Sequence, residues 1–157
     1  MTERAAGGEG GEALAEALVG AWHLVAWEIR RPEGQVILPF GPGARGLLLY
    51  SPDGWMSATV FEAGRCPLEA SVPRKAPLEA RARAFDGFFH YAGRFHVEGD
   101  EVVHTVTTSL NPGLVGTTQR RRARLSGRGL SLSATEVLAG GLSREHHLTW
   151  TREENLA

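Results

Sequence analysis

Four residues of this 157-residue chain, Tyr91, His104, Arg121 and Glu136, have side chains that can donate a hydrogen bond, move a proton or hold a charge, and each sits on the apolar side of an alternating segment. Side chains of a strand alternate between its two faces, so apolar partners at even spacing reveal the face that a polar residue shares. Val102, His104, Val106, Thr108 and Leu110 share a face, which predicts His104 in the interior. Tyr91, Gly93, Phe95 and Val97 form another such face and leave Arg94, His96 and Glu98 to water.

The run TTQRRRARL divides in the same way. Counting back from Leu125 places Ala123, Arg121, Gln119 and Thr117 inside, while Arg120, Arg122 and Arg124 point to solvent. Leu130, Leu132, Ala134 and Glu136 are predicted inside on the next segment, and Leu142, Arg144, His146, Leu148 and Trp150 inside on the last, with Arg144 reaching the rim. Tyr50, Met56 and Phe95 are expected to contact a ligand beside Gln119 and His146.

These residue types imply a definite chemistry. An arginine withdrawn from water needs a partner, so Arg121 meets either Glu136 or an anionic or carbonyl group of a ligand; the pattern leaves both open. His104 is a histidine whose ordinary titration lies near neutrality, the property of a proton-transfer group. Tyr91 supplies a hydroxyl donor, and Glu136 either orients the arginine or serves as an alternative base. A metal is not expected: His146 and His147 face opposite ways on a strand and no close-spaced ligand motif is present. The GPGARG turn follows a proline and enters a strand, unlike a phosphate-binding loop, and no nucleophile elbow appears.

The elements that must position these groups are strands. From Leu18 onward, nine apolar or alternating segments are separated by turns such as Ser51-Pro52-Asp53-Gly54, Glu98-Gly99-Asp100-Glu101 and Ser126-Gly127-Arg128-Gly129. One helix interrupts them, because Leu78, Ala82, Phe85 and Phe89 recur at the spacing of a single helix face. The expected architecture is an all-β antiparallel barrel of about nine strands, since closure removes exposed edges. Residues 1–11 are glycine-rich and acidic and are expected to be a disordered tail; residues 12–155 are expected to form one domain, starting with a short helix over residues 12–18.

Composition narrows the partners. With 17 Lys+Arg against 18 Asp+Glu, the chain has no global attraction to nucleic acid or to an acidic membrane surface. A lone cysteine, Cys66, excludes an internal disulfide, and the absence of an export signal or long apolar run leads us to expect a protein of the cytoplasm.

Gly20-x-Trp22 at the head of the first strand is similar to the Gly-x-Trp signature of the lipocalins. Together with PFGPGARGLLLYSPDGWMSA, FDGFFHYAGRF, EVVHTVTTSLNPGLVGTTQRR and the closing HLTWTR, it resembles the bacterial and fungal lipocalin-like domain family over residues 18–152. The resemblance implies a small barrel with an internal cavity. It also implies that Arg152 packs over the first-strand tryptophan. A cofactor-independent cyclase or isomerase of polyketide-like metabolism is the expected activity, binding an apolar, carbonyl-bearing substrate. The alternative is a non-catalytic carrier or sensor of a small hydrophobic acid.

Overall fold

The computed structural model describes residues 8–153. The strands are β1 (Gly20–Arg30), β2 (Val36–Ile37), β3 (Arg45–Tyr50), β4 (Trp55–Phe61), β5 (Phe88–Glu98), β6 (Glu101–Ser109), β7 (Thr118–Ser126), β8 (Gly129–Val137) and β9 (Ser143–Thr151). They correspond to the nine alternating segments. β3 to β9 pair antiparallel in chain order, and β1 bonds to β3 on one side and β9 on the other, closing an eight-stranded barrel. The two-residue β2 lies outside the cycle, against the end of β1.

Among the described residues two α-helices accompany the barrel, the expected short helix ahead of the first strand and the expected one that interrupts the strands. α1 (Gly8–Leu18) starts at Gly8, ahead of the predicted residue 12, and residues 1–7 of the expected tail lie outside the described residues. α2 (Leu78–Asp86) stops three residues short of Phe89. Phe89 instead belongs to β5, where it pairs with Val60, and Leu78 and Phe85 are left 73% and 48% exposed. The extended pairing of Phe88 and Phe89 with Phe61 and Val60 overrides the helical spacing.

β1 starts at one end of the barrel, and that end is sealed. Trp22 is 1% exposed, and its indole N–H donates to the Leu18 carbonyl at 2.8 Å. The Arg152 guanidinium lies 3.9 Å from the centre of the Trp22 ring and donates to the carbonyls of Val19 (2.9 Å) and Ala17 (2.6 Å). It thus joins a cation–π contact to the capping of the last turn of α1. Gly20 has φ +119°, and a Cβ there would collide with this guanidinium. The Gly20, Trp22 and Arg152 pattern therefore builds one closure, with Leu18, Leu48, Leu130 and Trp150 packed above it.

Two irregularities change which residues face inward. Val25 is an extra residue in β1, since Leu24 pairs with Trp150 and Ala26 with Thr149. Thr107 is extra in β6, since Ala92 pairs with Thr108 and Gly93 with Val106. A bulge shifts the alternation by one residue. Thr108 and Leu110, predicted inside with His104, are accordingly exposed, and Ser109 turns inward to bond the His90 carbonyl. Leu142, also predicted inside, is 69% exposed because it belongs to the Gly140-Gly141 turn that precedes β9.

Candidate functional site

Above the sealed base the barrel encloses a cavity of about 690 Å³ that opens at the opposite end. Its wall is mostly apolar, with Leu48, Ala58, Val60, Phe89, Leu132 and Leu148 among its members. Polar side chains enter it at two levels.

The deeper level is centred on His104, the one polar residue among the described ones that is fully buried, at 1% exposure. Its Nε2 lies 2.8 Å from the Tyr50 hydroxyl and its Nδ1 lies 2.7 Å from the Tyr91 hydroxyl. β3, β5 and β6 supply the three rings, and Phe95 packs edge-on against Tyr50 at 4.7 Å. Burial, reinforced by the positive charge of Arg121, pulls the imidazole down from 6.5 to about 3. Burial also pushes both tyrosine hydroxyls up, against the opposing pull of Arg121. At neutral pH the cluster is thus three uncharged groups. The expectation that His104 titrates near neutrality is corrected: the same inward orientation that brings it to the site removes the water that would stabilise an imidazolium.

Arg121 stands on the cavity wall next to this cluster. It donates to the carbonyl of Arg120 (2.9 Å) and to Oε1 of Gln119 (3.4 Å), and Gln119 in turn donates to Thr117 Oγ1 at 3.0 Å. Arg121 takes part in none of the ion pairs among the described residues, whereas its neighbours Arg120 and Arg122 pair with Glu98, Glu101 and Asp100 on the outer surface.

The upper level lies at the mouth. Glu136 accepts from Arg144 Nε at 2.6 Å and from His146 Nε2 at 2.8 Å. The Trp27 indole N–H donates to Nδ1 of His146 at 3.2 Å, so the neutral imidazole carries its proton on Nε2 and gives it to the carboxylate. The bond from Arg144, then that from His146, holds the Glu136 carboxyl below the usual carboxylate range. The choice left open between an Arg121–Glu136 pair and a ligand partner is thereby narrowed. Glu136 is satisfied from β9, where Arg144 sits directly opposite it, and Arg121 is left to the cavity.

The residues singled out from the sequence separate into three groups. Tyr91, His104, Gln119 and Arg121 come together on the deep wall, and Glu136 and His146 meet at the mouth. Tyr50 acts through His104 rather than on the cavity, while Met56 and Phe95 pack in or against the core below it and do not line it.

Trp27 and Phe89 are wall residues outside the predicted interior: Phe89 shares the face of Tyr91 two residues on and is hidden by its assignment to the helix, whereas counting along β1 misses Trp27. Trp27 sits at odd spacing from Trp22, which on a regular strand points it outward. The bulge at Val25 brings it in. Two even-spaced apolar pairs, Trp22–Leu24 and Trp27–Ile29, running out of phase are the signal of that bulge. Pro39 and Leu114 reach the wall from loops, where alternation carries no information. Among the described residues, no group of three or more His, Cys, Asp or Glu side chains is placed to hold a metal ion.

A family model described as a lipocalin-like domain matches residues 19–153, which contain the whole of the barrel. No curated protein and no solved structure matches the chain. Barrel, family and apolar cavity together suit the binding of a small hydrophobic ligand.

Proposed function

This chain belongs to the lipocalin-like domain family, and we propose that it binds a small apolar molecule inside the barrel with a carbonyl-bearing end turned toward Tyr91 and Arg121. The observation that carries this reading is an arginine on the wall of a mostly apolar cavity, with no carboxylate among the described residues paired to it. Such a cation is costly in an empty apolar chamber and useful in an occupied one. The cavity volume falls within the range of small-molecule sites, roughly 300 to 1,000 Å³. Native mass spectrometry of the protein before and after exposure to a metabolite extract tests it. A non-covalent adduct that weakens in Arg121→Gln is expected, and no adduct from any extract would count against ligand binding.

A second reading makes the same cavity catalytic, as a cofactor-independent cyclase or isomerase. It is favoured by the pairing of a fixed hydroxyl and a guanidinium where a developing enolate oxygen would sit. The walls would fold the substrate and lower the entropic part of the barrier, Arg121 would hold the growing negative charge, and Tyr91 would donate to it. His104, uncharged, would orient Tyr91 instead of taking a proton. Incubating the captured compound with fresh protein separates the readings: conversion supports the enzyme, and unchanged release supports the carrier.

A further inference from the structure

Neutral imidazole has one donor nitrogen and one acceptor nitrogen, so the two tyrosines on His104 must play opposite parts. If Nε2 carries the proton, it donates to Tyr50, and Tyr91 donates to Nδ1. The Tyr50 hydrogen then has no acceptor: Tyr50 is 2% exposed, does not line the cavity, and has no hydrogen-bond partner among the described residues but His104. If Nδ1 carries the proton, Tyr50 donates to Nε2 and Nδ1–H donates to the Tyr91 oxygen. Every group outside the cavity is then satisfied, and the hydrogen left over belongs to Tyr91, which does line it. Buried donors without partners are disfavoured, so the second arrangement is the one the fold selects.

The surroundings of that hydrogen share its polarity. Arg121, on the same wall, offers further N–H groups. Near Tyr91 the side-chain acceptor Gln119 Oε1 is engaged by Arg121, and the carboxylate of Glu136, bound through Oε2 to Arg144 and His146, lies at the mouth. The deep end therefore presents donors to whatever occupies it.

We propose that the polar end of the ligand is an anionic acceptor, a carboxylate or the enolate of a 1,3-dicarbonyl, received by the Tyr91 hydroxyl and Arg121, with Tyr50 and His104 as positioning residues that fix the direction of the Tyr91 hydrogen. This rests on the binding reading above and adds the sign and hydrogen-bond polarity of the group bound. An alcohol or amine of the same length brings donor hydrogens to a surface that already has them, and an amine adds a like charge.

Two measurements on the full chain test it. The first is titration with four probes sharing one twelve-carbon chain, namely dodecanoate, methyl dodecanoate, dodecanol and dodecylamine, followed by tryptophan fluorescence and calorimetry. Dodecanoate is expected to bind about tenfold or more tighter than dodecanol, with the amine weakest, and Arg121→Gln should erase that order. Equal affinity for acid and alcohol overturns the anionic-acceptor assignment while leaving ligand binding intact. Saturable binding by none of the four overturns both. The second is the nitrogen-15 spectrum of His104, which distinguishes the tautomers without any ligand. Protonated Nδ1 with bare Nε2 is expected, and this signature should become mixed in Tyr50→Phe. Protonated Nε2 in the wild-type protein overturns the positioning role.

Discussion

At the base of the barrel Arg152 lies flat on the Trp22 ring and spends its N–H groups on the carbonyls of Ala17 and Val19, whereas Arg121, on the wall above, bonds one neighbouring carbonyl and Gln119 and faces the cavity. Both side chains are partly withdrawn from water. The difference lies in what satisfies them. The base supplies backbone acceptors from the end of α1, fixed by the fold, so Arg152 is complete without a ligand. The wall's one carboxylate, Glu136, is held at the mouth by Arg144 and His146, and the groups that feel the charge of Arg121, namely Tyr50, His104 and Tyr91, are neutral at physiological pH. An arginine completed by the backbone is part of the structure, and one completed by nothing charged marks where charge can be received.

The strongest way to break this contrast is at the base. Trp22→Ala removes a fully buried indole, its bond to Leu18 and the platform under Arg152, so a loss of about 3–5 kcal/mol is expected in a urea melt. A loss below about 1 kcal/mol would mean that the base is not a closure. Arg121→Gln is expected to behave in the opposite sense. The melt should stay near wild type, while dodecanoate affinity falls about tenfold or more, as a charge-assisted hydrogen bond of roughly 1.5–3 kcal/mol requires. If Arg121→Gln unfolds the protein as Trp22→Ala does, the two arginines do the same job.

The His104 cluster sharpens the comparison through pH. The folded chain refuses the proton until about pH 3, but the unfolded chain accepts it below 6.5, so the stability contributed by neutral His104 is intact above 6.5 and is lost as pH falls toward 3. Within that window the slope approaches roughly 1.4 kcal/mol per pH unit. His104→Gln should start less stable, because both tyrosines lose their partner, yet lack this component of the acid slope. Parallel pH profiles for wild type and variant would show that the imidazole is not held neutral.

Much of this was legible in the sequence because alternation reports burial directly. The nine strands, the inward His104 and Tyr91, and the separation of Arg121 from Arg120, Arg122 and Arg124 all follow from spacing two residues apart. What alternation does not report is register, the quantity that decides partners. Glu136 meets Arg144 because the Gly140-Gly141 turn sets those positions opposite each other, and a face assignment alone left Arg121 equally eligible. Alternation also fails silently past a bulge. Trp27 was hidden by Val25, and Thr108 and Leu110 were misplaced by Thr107. The His104 titration departs from the ordinary value of its residue type for a different reason: the inward orientation that alternation reports also removes its solvation.

Arg120, Arg122 and Arg124 flank Arg121 in one run but point outward, where Arg120 pairs with Glu98 and Glu101, and Arg122 with Asp100, at side chains about half exposed. Exposed pairs of this kind are screened by water and salt and offset by the entropy of holding long side chains in place. Each of the three alanine substitutions should therefore leave the melting midpoint within experimental error and dodecanoate affinity within about twofold of wild type. Raising the salt concentration should not separate them from wild type, although it should weaken dodecanoate binding modestly wherever Arg121 is present. Four arginine variants that are indistinguishable in affinity would show that facing the cavity confers nothing on Arg121. A single outlier at Arg121 is the outcome that the alternation of β7 requires.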